Sequence, residues 1–384
     1  MRQFFAEFKA FFKKGDIVLL LLLIITTAFG ILAIASTTNF RGNFRYVAIQ
    51  SLAASLGILC FVIMSSIDLD FFTENRMWLV IFNSFLLLLL VPFGTDLGSG
   101  NRSWLDLPII PIDIQPAEIC KITFIMIMAS VMTNYRSRIS GIPAIITMVV
   151  HLGLLAGLNM VVSKDAGVTL IFVFIFIGMA WCGGVHAGWF GLAIGGLAAI
   201  APFAWNNILS AHQKNRIEVL FNPALDPEGI NERFHSVRSL RSLTGGGFFG
   251  QGLFNGTRTQ KEELFAQHTD YIFSAIGEEL GFIGCAFVLL LMALIVIRCI
   301  QIGRRSPDFT RRMVCFGTAS ALIFQVMVNV GMCIGVMPVI GLTLPFISYG
   351  GSSIVTLYAM LGMVSGVCAR PVAPTHERYI RPYR

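Results

Sequence analysis

One apolar stretch, AQHTDYIFSAIGEELGFIG (residues 266–284), begins with groups that could do acid–base chemistry. His268 and Asp270 stand at its polar edge, whereas Glu278 and Glu279 lie inside it. A carboxylate at the edge of a membrane span can accept a proton as a general base. A carboxylate inside a span is costly and usually faces a polar interior or a pathway. The stretch predicts a functional role for Asp270, whereas for the two glutamates a structural or supporting role is as well supported as a functional one.

Helical spacing gives this stretch one small or polar stripe. At 100° per residue, the stripe spans about 60° and holds Asp270, Ser274, Gly277 and Gly281. Glu278 then lies about 80° around the helix from Asp270 and about 12 Å deeper. Such a stripe lets another helix or a substrate approach closely. An internal ion pair that fixes helix packing is the alternative role for the glutamates.

A second polar cluster lies in NRSWLDLPIIPIDIQPAEICK, residues 101–121. Glu118 and Lys121 are three residues apart and share a helix face, so they can pair. Because an unpaired ammonium within a span is expensive, a structural pair is predicted here. Trp104 in the preceding loop suits an interfacial anchor, and Arg102 beside it is a candidate ligand for a phosphate or a sugar.

Two further segments place polar groups near the ends of apolar runs. SKDAGVT (163–169) contains Lys164 and Asp165, and a local helix N-cap is the alternative explanation for the aspartate. The segment 331–353 is apolar but broken by two prolines and by Gly350-Gly351. Non-helical backbone at membrane depth is tolerated only where protein or a water-filled cavity covers it. Its freed N–H groups, together with Ser348, are candidates for binding an anion.

The composition places these clusters in a membrane protein. Of 384 residues, 55% are hydrophobic and 13% charged, with a mean hydropathy of +0.76, whereas a soluble protein carries about 25% charged residues. Ten apolar segments have spanning length. They cover residues 16–36, 46–66, 76–95, 116–134, 142–161, 167–183, 186–205, 269–299, 312–335 and 350–369. The sequence predicts a single domain over 1–384, an all-α polytopic membrane protein with about ten transmembrane helices. The first is a retained span.

The basic residues fix the predicted orientation. They concentrate in both tails and in the even-numbered connections, which include Lys9, Lys13, Lys14, Arg136, Arg138, Arg304, Arg305, Arg370 and Arg378. Positively charged loops stay in the cytoplasm, and long loops translocate largely regardless of charge. Both termini are therefore predicted to be cytoplasmic. The large loop 206–268, between helices 7 and 8, is predicted to be extracytoplasmic, on the same side as every polar cluster above.

Other functions find little support in the sequence. The net charge of +7 comes from topology signals between spans, so nucleic-acid binding is not predicted. Eight single cysteines without CxxC spacing favour neither a disulfide framework nor a zinc site. No Walker, dinucleotide-binding or HExxH motif is present. The GGG at 245–247 is interpreted as a flexible loop segment.

At these residues the sequence resembles the SEDS family, whose members include RodA and FtsW. Four segments match in order: RSWLDL with QPAEICK; FNPALDPEG; GQGLFNGTRTQ with HTDYIFSAIGEELGFIG; and NVGMCIGVMPVIGLTLPFISYGGSS. The ten-span layout agrees. The GTRTQ run before HTDYIF and the short tails resemble RodA more than FtsW. Departures are SKDAGVT in place of a KPDLGT-like segment, QPAE in place of QPSE, and a more charged stretch after DPEG.

This resemblance implies a peptidoglycan glycosyltransferase that polymerises lipid II at the outer face of the bacterial cytoplasmic (inner) membrane, in cell elongation and shape maintenance. It implies a class B penicillin-binding protein transpeptidase and the elongation machinery as partners. Asp270 matches the position that the family marks as catalytic. Trp104, Glu118, Lys121 and Asp165 match other positions that the family pattern emphasises.

The chemistry of this transfer assigns the remaining groups. The acceptor hydroxyl must lose a proton, and the departing lipid diphosphate needs positive charge. Lys164, Arg102 and Arg216 are the candidate cations, with a divalent cation such as Mg²⁺ or Mn²⁺ as an alternative; no other cofactor is predicted. The substrate-binding set is completed by Trp104, Lys121, Asp165, His268 and Ser348.

Three rival functions remain open from the sequence. They are an FtsW-like division polymerase, a flippase that transports lipid II, and a scaffold without chemistry of its own. A transport path would need polar groups as far as the inner face, and spans six and seven show few. The concentration of polar residues at one end of the spans favours surface chemistry.

Overall fold

The computed structural model describes residues 15–42, 44–69, 75–95, 102–105, 114–207, 211–226, 229–230 and 233–369. In this part of the chain, ten helices are long and apolar enough to cross a membrane. They are α1 (Ile17–Thr37), α2 (Arg45–Ser66), α3 (Arg76–Phe93), α4 (Pro116–Asn134), α5 (Ile142–Val162), α6 (Ala166–Gly183), α7 (Ala187–Asn207), α10 (Ile272–Arg305), α11 (Phe309–Cys333) and α12 (Gly351–Ala369). The predicted all-α, multi-pass membrane fold is confirmed.

Two further α-helices, four short 3-10 helices and one small sheet complete the described structure. Helices α8 (Ala211–Phe221) and α9 (Phe234–Gly245) lie within the predicted 206–268 loop. Strands β1 (Gly94–Thr95) and β2 (Trp104–Leu105) pair in antiparallel register, with Thr95 opposite Trp104. The end of the bundle where α7 ends and α10 begins is called the loop end below, and the small sheet lies at this end.

Local chemistry explains where several helices start. Asp16, Asp165 and Asp308 each cap a helix with a side-chain oxygen that accepts a backbone N–H three residues later. This contact satisfies one of the donors that every helix N-terminus leaves free. Pro116 occupies the first turn of α4, where its missing N–H costs nothing.

The core is formed by some spans and bordered by others. Helices α4, α11 and α12 are mostly buried within the protein, whereas none of the described side chains of α7 is buried. Within the described residues, α2 and α12 make the most extensive helix–helix contact, around the buried rings of Phe61 and Tyr358. The exposed apolar residues of α5 and α7 suit contact with lipid.

Helix α10 is interrupted nine residues after its start. Gly281 there has φ 66° and ψ −160°, a conformation that is essentially restricted to glycine. Residues 247–252 supply the hydrogen bonds that the break removes. Gln251 N–H and Gly252 N–H donate to the carbonyls of Glu278 and Glu279, and Phe282 N–H donates to Gly247 O. The broken backbone is thereby satisfied, as a membrane-embedded segment requires.

The structure around α10 corrects three predictions. The eighth span begins at Ile272 rather than at 269, so Asp270 lies in the preceding turn, and the helical stripe does not continue through Gly281. The GGG is not merely flexible, because it packs against α10. A Cβ on Gly246 would lie only 1.9 Å from the carbonyl oxygen of Gly277. A side chain there would force the loop off the helix.

Candidate active site

Asp270 lies in the tight turn that precedes α10 at the loop end. Its side chain is half-buried, and its Oδ2 faces Gly341, where an added Cβ would lie 3.7 Å away. Among the described residues, none hydrogen-bonds or pairs with this carboxyl. Burial raises its pKa to about 6, because a carboxylate loses water there without gaining a partner. The turn therefore presents an acid that titrates near neutral pH.

The main chain around Asp270 is held at three consecutive carbonyls. The carbonyl of residue 268 accepts from Tyr349 N–H at 2.9 Å. The carbonyl of Thr269 accepts from Ser348 Oγ at 2.6 Å. The carbonyl of Asp270 accepts from Asn329 Nδ2 at 2.8 Å. The turn is thus fixed by α11 and by the non-helical segment before α12, whereas no side chain in the described part of the protein binds the carboxyl.

Two buried amides extend this support. The second Asn329 Nδ2 hydrogen bond goes to Leu342 O at 2.7 Å, which ties the Asp270 turn to the segment facing it. From α2, Gln50 donates to Ser348 O at 3.2 Å and accepts from Gly350 N–H at 3.1 Å. Both side chains are fully buried. An interlocked support of this kind can hold a reactive group within the narrow range that catalysis requires.

Ser348 has a different environment from the one predicted. The interpretation from sequence was a group for binding an anion. In the structure its hydroxyl donates to Thr269 O and accepts from Leu344 N–H at 2.9 Å. The side chain is buried. These two contacts use the hydroxyl to hold the Asp270 turn.

His268 belongs to a group of aromatic rings. Its ring centroid lies 5.0 Å from that of Tyr46 and 5.8 Å from that of Tyr349. Burial lowers the pKa of His268 to about 4, and the nearby positive charge of Arg41 adds to the effect. The imidazole is therefore neutral at physiological pH.

The two glutamates in the broken helix hold the preceding loop. Glu278 accepts from the N–H groups of Arg258 and Thr259 at 2.8 and 3.1 Å, and also from the hydroxyls of Thr257 and Thr259. Glu279 accepts from Gln260 Nε2 at 3.0 Å and from the hydroxyl of Ser36 on α1. Both carboxylates are buried. They bind the GTRTQ segment (256–260) to α10 and α1.

The predicted Glu118–Lys121 pair forms within the bundle. Lys121 Nζ lies 2.7 Å from a Glu118 carboxylate oxygen, and both side chains are buried. Thr356 on α12 donates to the same carboxylate at 3.1 Å. Both ionic groups therefore have partners, which a buried ion pair needs if it is not to destabilise the protein.

Asp165 lies near this pair at the start of α6. One of its carboxylate oxygens caps the helix, and the other accepts from Gln115 Nε2 at 3.2 Å. Burial raises the pKa of Asp165, and the backbone hydrogen bonds and Lys121 oppose that shift only in part. The N-cap alternative is thus found in the structure, together with a link to the segment that leads into α4.

The remaining candidates occupy the border of this second cluster. Trp104 is half-buried in β2, whereas Arg102 and Lys164 are exposed. Lys164 has a φ of 57°, which is uncommon for a residue other than glycine. Arg216 falls in α8, and its side chain lies outside the described residues.

The two clusters face each other across one segment. Gly167 at the start of α6 packs against Ile340 and Leu342, and Gly341 between them faces Asp270. The structure thus groups Asp270 with His268 and Ser348, and it groups Glu118, Lys121 and Asp165 next to Arg102, Trp104 and Lys164. Among the described residues, no set of three or more His, Cys, Asp or Glu could hold a metal ion. A divalent cation would therefore need phosphate oxygens of a substrate as further ligands.

Sequence reasoning missed Asn329, Gln50, Gln115 and Tyr46. A signal was available for the first two, since each is an uncharged amide inside an apolar span. Polar residues at such positions usually have a partner or a function. Gln115 and Tyr46 lie at helix starts, where a polar or aromatic residue carries no such signal.

Comparisons with known proteins agree with this architecture. Residues 16–370 match the FTSW_RODA_SPOVE family, described as "Cell cycle protein". The chain is 30% identical to peptidoglycan glycosyltransferase MrdB of Escherichia coli over 82% of this chain and 83% of that protein. It is 31% identical to the probable peptidoglycan glycosyltransferase FtsW of Trichlorobacter lovleyi, covering 92% and 93% of the two chains.

Solved structures show the same fold. One is a chain from a structure described as "Structural coordination of polymerization and crosslinking by a peptidoglycan synthase complex". It has a TM-score of 0.76 and 26% identity, covering 96% of this chain and 99% of that one. The rod shape determining protein RodA of Thermus thermophilus has a TM-score of 0.68 and 25% identity, covering 92% and 96%.

Proposed function

We propose a mechanism and a cellular role for this chain, which belongs to the FtsW/RodA/SpoVE (SEDS) family and is a peptidoglycan glycosyltransferase. In this proposal it polymerises lipid II at the outer face of the bacterial cytoplasmic membrane, with Asp270 as general base. The observation that carries the proposal is the contrast at Asp270 between a main chain held at three carbonyls and a carboxyl without a partner among the described residues.

The proposed step is a single displacement at a sugar carbon. The acceptor hydroxyl attacks the anomeric carbon of the donor, its proton passes to the Asp270 carboxylate, and the bond from that carbon to the lipid diphosphate breaks. A carboxyl with a pKa of about 6 is mostly ionised at pH 7 and still basic enough to accept this proton. General-base catalysis of this kind contributes about 10²–10⁴-fold.

The second cluster is proposed to receive the leaving group. The exposed Lys164 and Arg102 place positive charge beside the Asp165 and Trp104 region, across residues 340–342 from Asp270. Oriented positive charge stabilises a departing diphosphate. Beneath this region, the Glu118 carboxylate of the buried Glu118–Lys121 pair connects α4 to α12 by accepting from Thr356.

The cellular role that we propose is elongation, as in RodA-like members. The GTRTQ run supports it, because this run resembles RodA more than FtsW; Glu278 and Glu279 bind the run to α10. Expression in a rod-shaped bacterium depleted of its elongation polymerase should restore rods. Rescue of septation in a strain depleted of its division polymerase, without rescue of rods, would contradict the assignment.

A class B penicillin-binding protein transpeptidase is the proposed partner, alongside the elongation machinery. The fold shared with a chain of a peptidoglycan synthase complex supports this choice. The proposed orientation has both termini in the cytoplasm, so the loop end faces outward, where lipid II is polymerised and a transpeptidase domain would act on the product.

The test of the mechanism is Asp270→Asn in the purified full chain, assayed for glycan polymer from purified lipid II. We expect at least a 100-fold loss of polymerisation, because an amide cannot take up the proton at neutral pH. Expression and melting temperature should not fall. The control is Glu263→Gln, an exposed acid in the preceding loop, which should retain activity.

Two results would contradict this account. Polymer at the wild-type level from Asp270→Asn would remove the general-base role. A wild-type protein that moves lipid II across vesicle membranes but makes no polymer, with or without a transpeptidase, would favour the flippase.

A further inference from the structure

Three aromatic rings from three parts of the chain meet beside the Asp270 turn. Tyr46 belongs to α2, His268 to the turn itself, and Tyr349 to the segment before α12. Their centroids lie 5.0–5.8 Å apart with interplanar angles of 53–75°. All three side chains are half-buried, so each ring keeps part of its surface accessible. This group is called the aromatic lip below.

The charged residues at the aromatic lip neutralise one another. The Arg41 guanidinium lies 5.1 Å from the centre of the Tyr46 ring and pairs with Glu262 at 2.7 Å. His268 is neutral at physiological pH. The aromatic lip thus combines apolar ring surface with exposed hydrogen-bonding groups and no net charge. A diphosphate finds little attraction there, in contrast to the region of Lys164 and Arg102.

These features match the chemistry of a sugar ring. A hexopyranose with equatorial substituents presents an apolar C–H face, and aromatic rings bury such a face well. Its hydroxyls need donors and acceptors at the edge of the site, and the Arg41–Glu262 pair supplies both. An uncharged saccharide gains from both kinds of surface.

The aromatic lip is also connected to Asp270 through the main chain and through a backbone hydrogen bond. His268 is two residues before Asp270, and its carbonyl accepts the Tyr349 N–H at 2.9 Å. A ligand on these rings would therefore lie at a fixed place relative to the Asp270 turn. A saccharide unit adjoining the reacting sugars is the ligand that needs such a place.

We propose that Tyr46, His268 and Tyr349 form a subsite that binds a hexopyranose unit of the growing glycan strand. The inference rests on the proposed polymerase function. The subsite keeps the strand on the enzyme between additions. Its loss should shorten the polymer more than it slows the formation of each bond.

Binding is tested with the tetrasaccharide of β-1,4-linked N-acetylglucosamine as the probe. The protein is the purified full chain carrying Asp270→Asn, so that no turnover occurs, and calorimetry gives the affinity. We expect binding, at least fivefold weaker with Tyr46→Ala and little changed with Tyr46→Phe, which keeps the ring. Phe93→Ala is the matched control, because Phe93 is an exposed aromatic residue at the loop end of α3. Equal affinities in Tyr46→Ala and its parent would overturn the proposal.

The length of the polymer distinguishes a saccharide subsite from a group of rings that only supports the Asp270 turn. With catalytically active protein, Tyr46→Ala should shift the product to strands at least twofold shorter while the initial rate of bond formation changes less. A lower rate with unchanged strand length would overturn the subsite and leave the rings as a support for the turn. Should Tyr46→Ala fail to fold, Tyr349→Leu, which removes a ring and keeps most of its volume, is measured in the same way.

The two experiments also distinguish this inference from the proposed function. If the wild type makes no polymer but the tetrasaccharide binds and Tyr46→Ala weakens it, the polymerase proposal fails and the saccharide site stands. If polymer forms but neither binding nor strand length responds to the ring substitutions, only the subsite is overturned.

Discussion

Asp270 and Glu278 are only eight positions apart in the sequence, yet the carboxyl group of Asp270 and those of the Glu278–Glu279 pair have opposite hydrogen-bonding environments. At Asp270 three consecutive carbonyls are held and the carboxyl has no partner among the described residues. At Glu278 and Glu279 the carboxylates accept six hydrogen bonds between them, four and two. The helix that carries the glutamates breaks two residues later, at Gly281.

This difference shows how one short segment can combine support with reactivity. A carboxylate whose oxygens already accept several N–H and O–H groups has few lone pairs left to bind a substrate hydroxyl. The same charge without partners is costly, and the raised pKa of Asp270 reflects that cost. The glutamates stabilise the loop around the break, and the loop and α10 in turn support a turn that leaves one acid available.

The largest effect on stability should come from Glu278→Gln. The amide nitrogen would face N–H and O–H donors that the carboxylate now accepts, so at least one buried donor would lose its partner. Hydrogen bonds to a charged group contribute about 1.5–3 kcal/mol each, and we expect a loss of about 3 kcal/mol. Thermal unfolding in detergent measures it. A melting temperature equal to that of the wild type would show that the loop is held by other contacts.

A smaller effect, divided between stability and activity, is expected from Asn329→Ala. This change removes the hydrogen bonds to Asp270 O and Leu342 O from a fully buried position. We expect a loss of about 2 kcal/mol in stability. Polymerisation should fall by about tenfold or more, because a small displacement of a catalytic group is costly.

The matched control for Asn329 is Gln325→Ala. Gln325 is also buried, lies one turn earlier on α11, and makes no hydrogen bond to the Asp270 turn in the described structure. It should lose stability without a comparable loss of activity. Equal loss of activity in the two variants would argue against a specific role of Asn329 in holding the turn.

The sequence predicted most of the fold and the identity of the polar clusters. Span length and hydropathy are local properties, so ten helices could be placed with ends that mostly agree within a few residues. The Glu118–Lys121 pair followed from helical spacing alone. The grouping of Asp270 with Ser348 required the non-helical segment before α12 to fold back onto the Asp270 turn, which the broken 331–353 sequence indicated only in general.

The break in α10 could not be predicted, because its cause is not local. The sequence after Gly281 is apolar over more than ten residues, and glycine is common in membrane helices, so Gly281 by itself does not indicate a break. The break is stable because residues 247–252 replace its hydrogen bonds, and that docking depends on a loop about 30 residues earlier. For the same reason, the contacts of Glu278 with residues 257–259 could not be predicted from the sequence.

The pH dependence of activity tests whether the Asp270 carboxyl lacks a hydrogen-bonding or ionic partner. With a pKa of about 6, polymerisation should rise about tenfold between pH 5 and pH 7, as the base becomes ionised. Stability should move in the opposite direction. The folded pKa lies above that of the unfolded chain, about 3.9, so ionisation destabilises the fold as pH rises from about 4 to 6.

Initial rates and melting temperatures across this pH range give the activity curve and the stability curve. In Asp270→Asn, the decrease in stability that ionisation of this carboxyl causes should be absent. A rate that is already constant above pH 5 would mean that the carboxyl has a partner that lowers its pKa, and the contrast with the glutamates would fail.

The smallest effect should come from Glu279→Gln, and it sharpens the comparison within the glutamate pair. Glu279 accepts one hydrogen bond from Gln260 and one from the Ser36 hydroxyl, whereas Glu278 faces two backbone N–H groups that cannot reorient. A glutamine at 279 can still accept from Gln260, and the Ser36 hydroxyl can rotate to accept from the new amide. We therefore expect a loss of about 1 kcal/mol, about a third of that for Glu278→Gln. Melting temperatures of the two variants, measured side by side, decide the order. A larger loss at 279 would mean that the anchor to α1, rather than the backbone of residues 257–259, holds this loop in place.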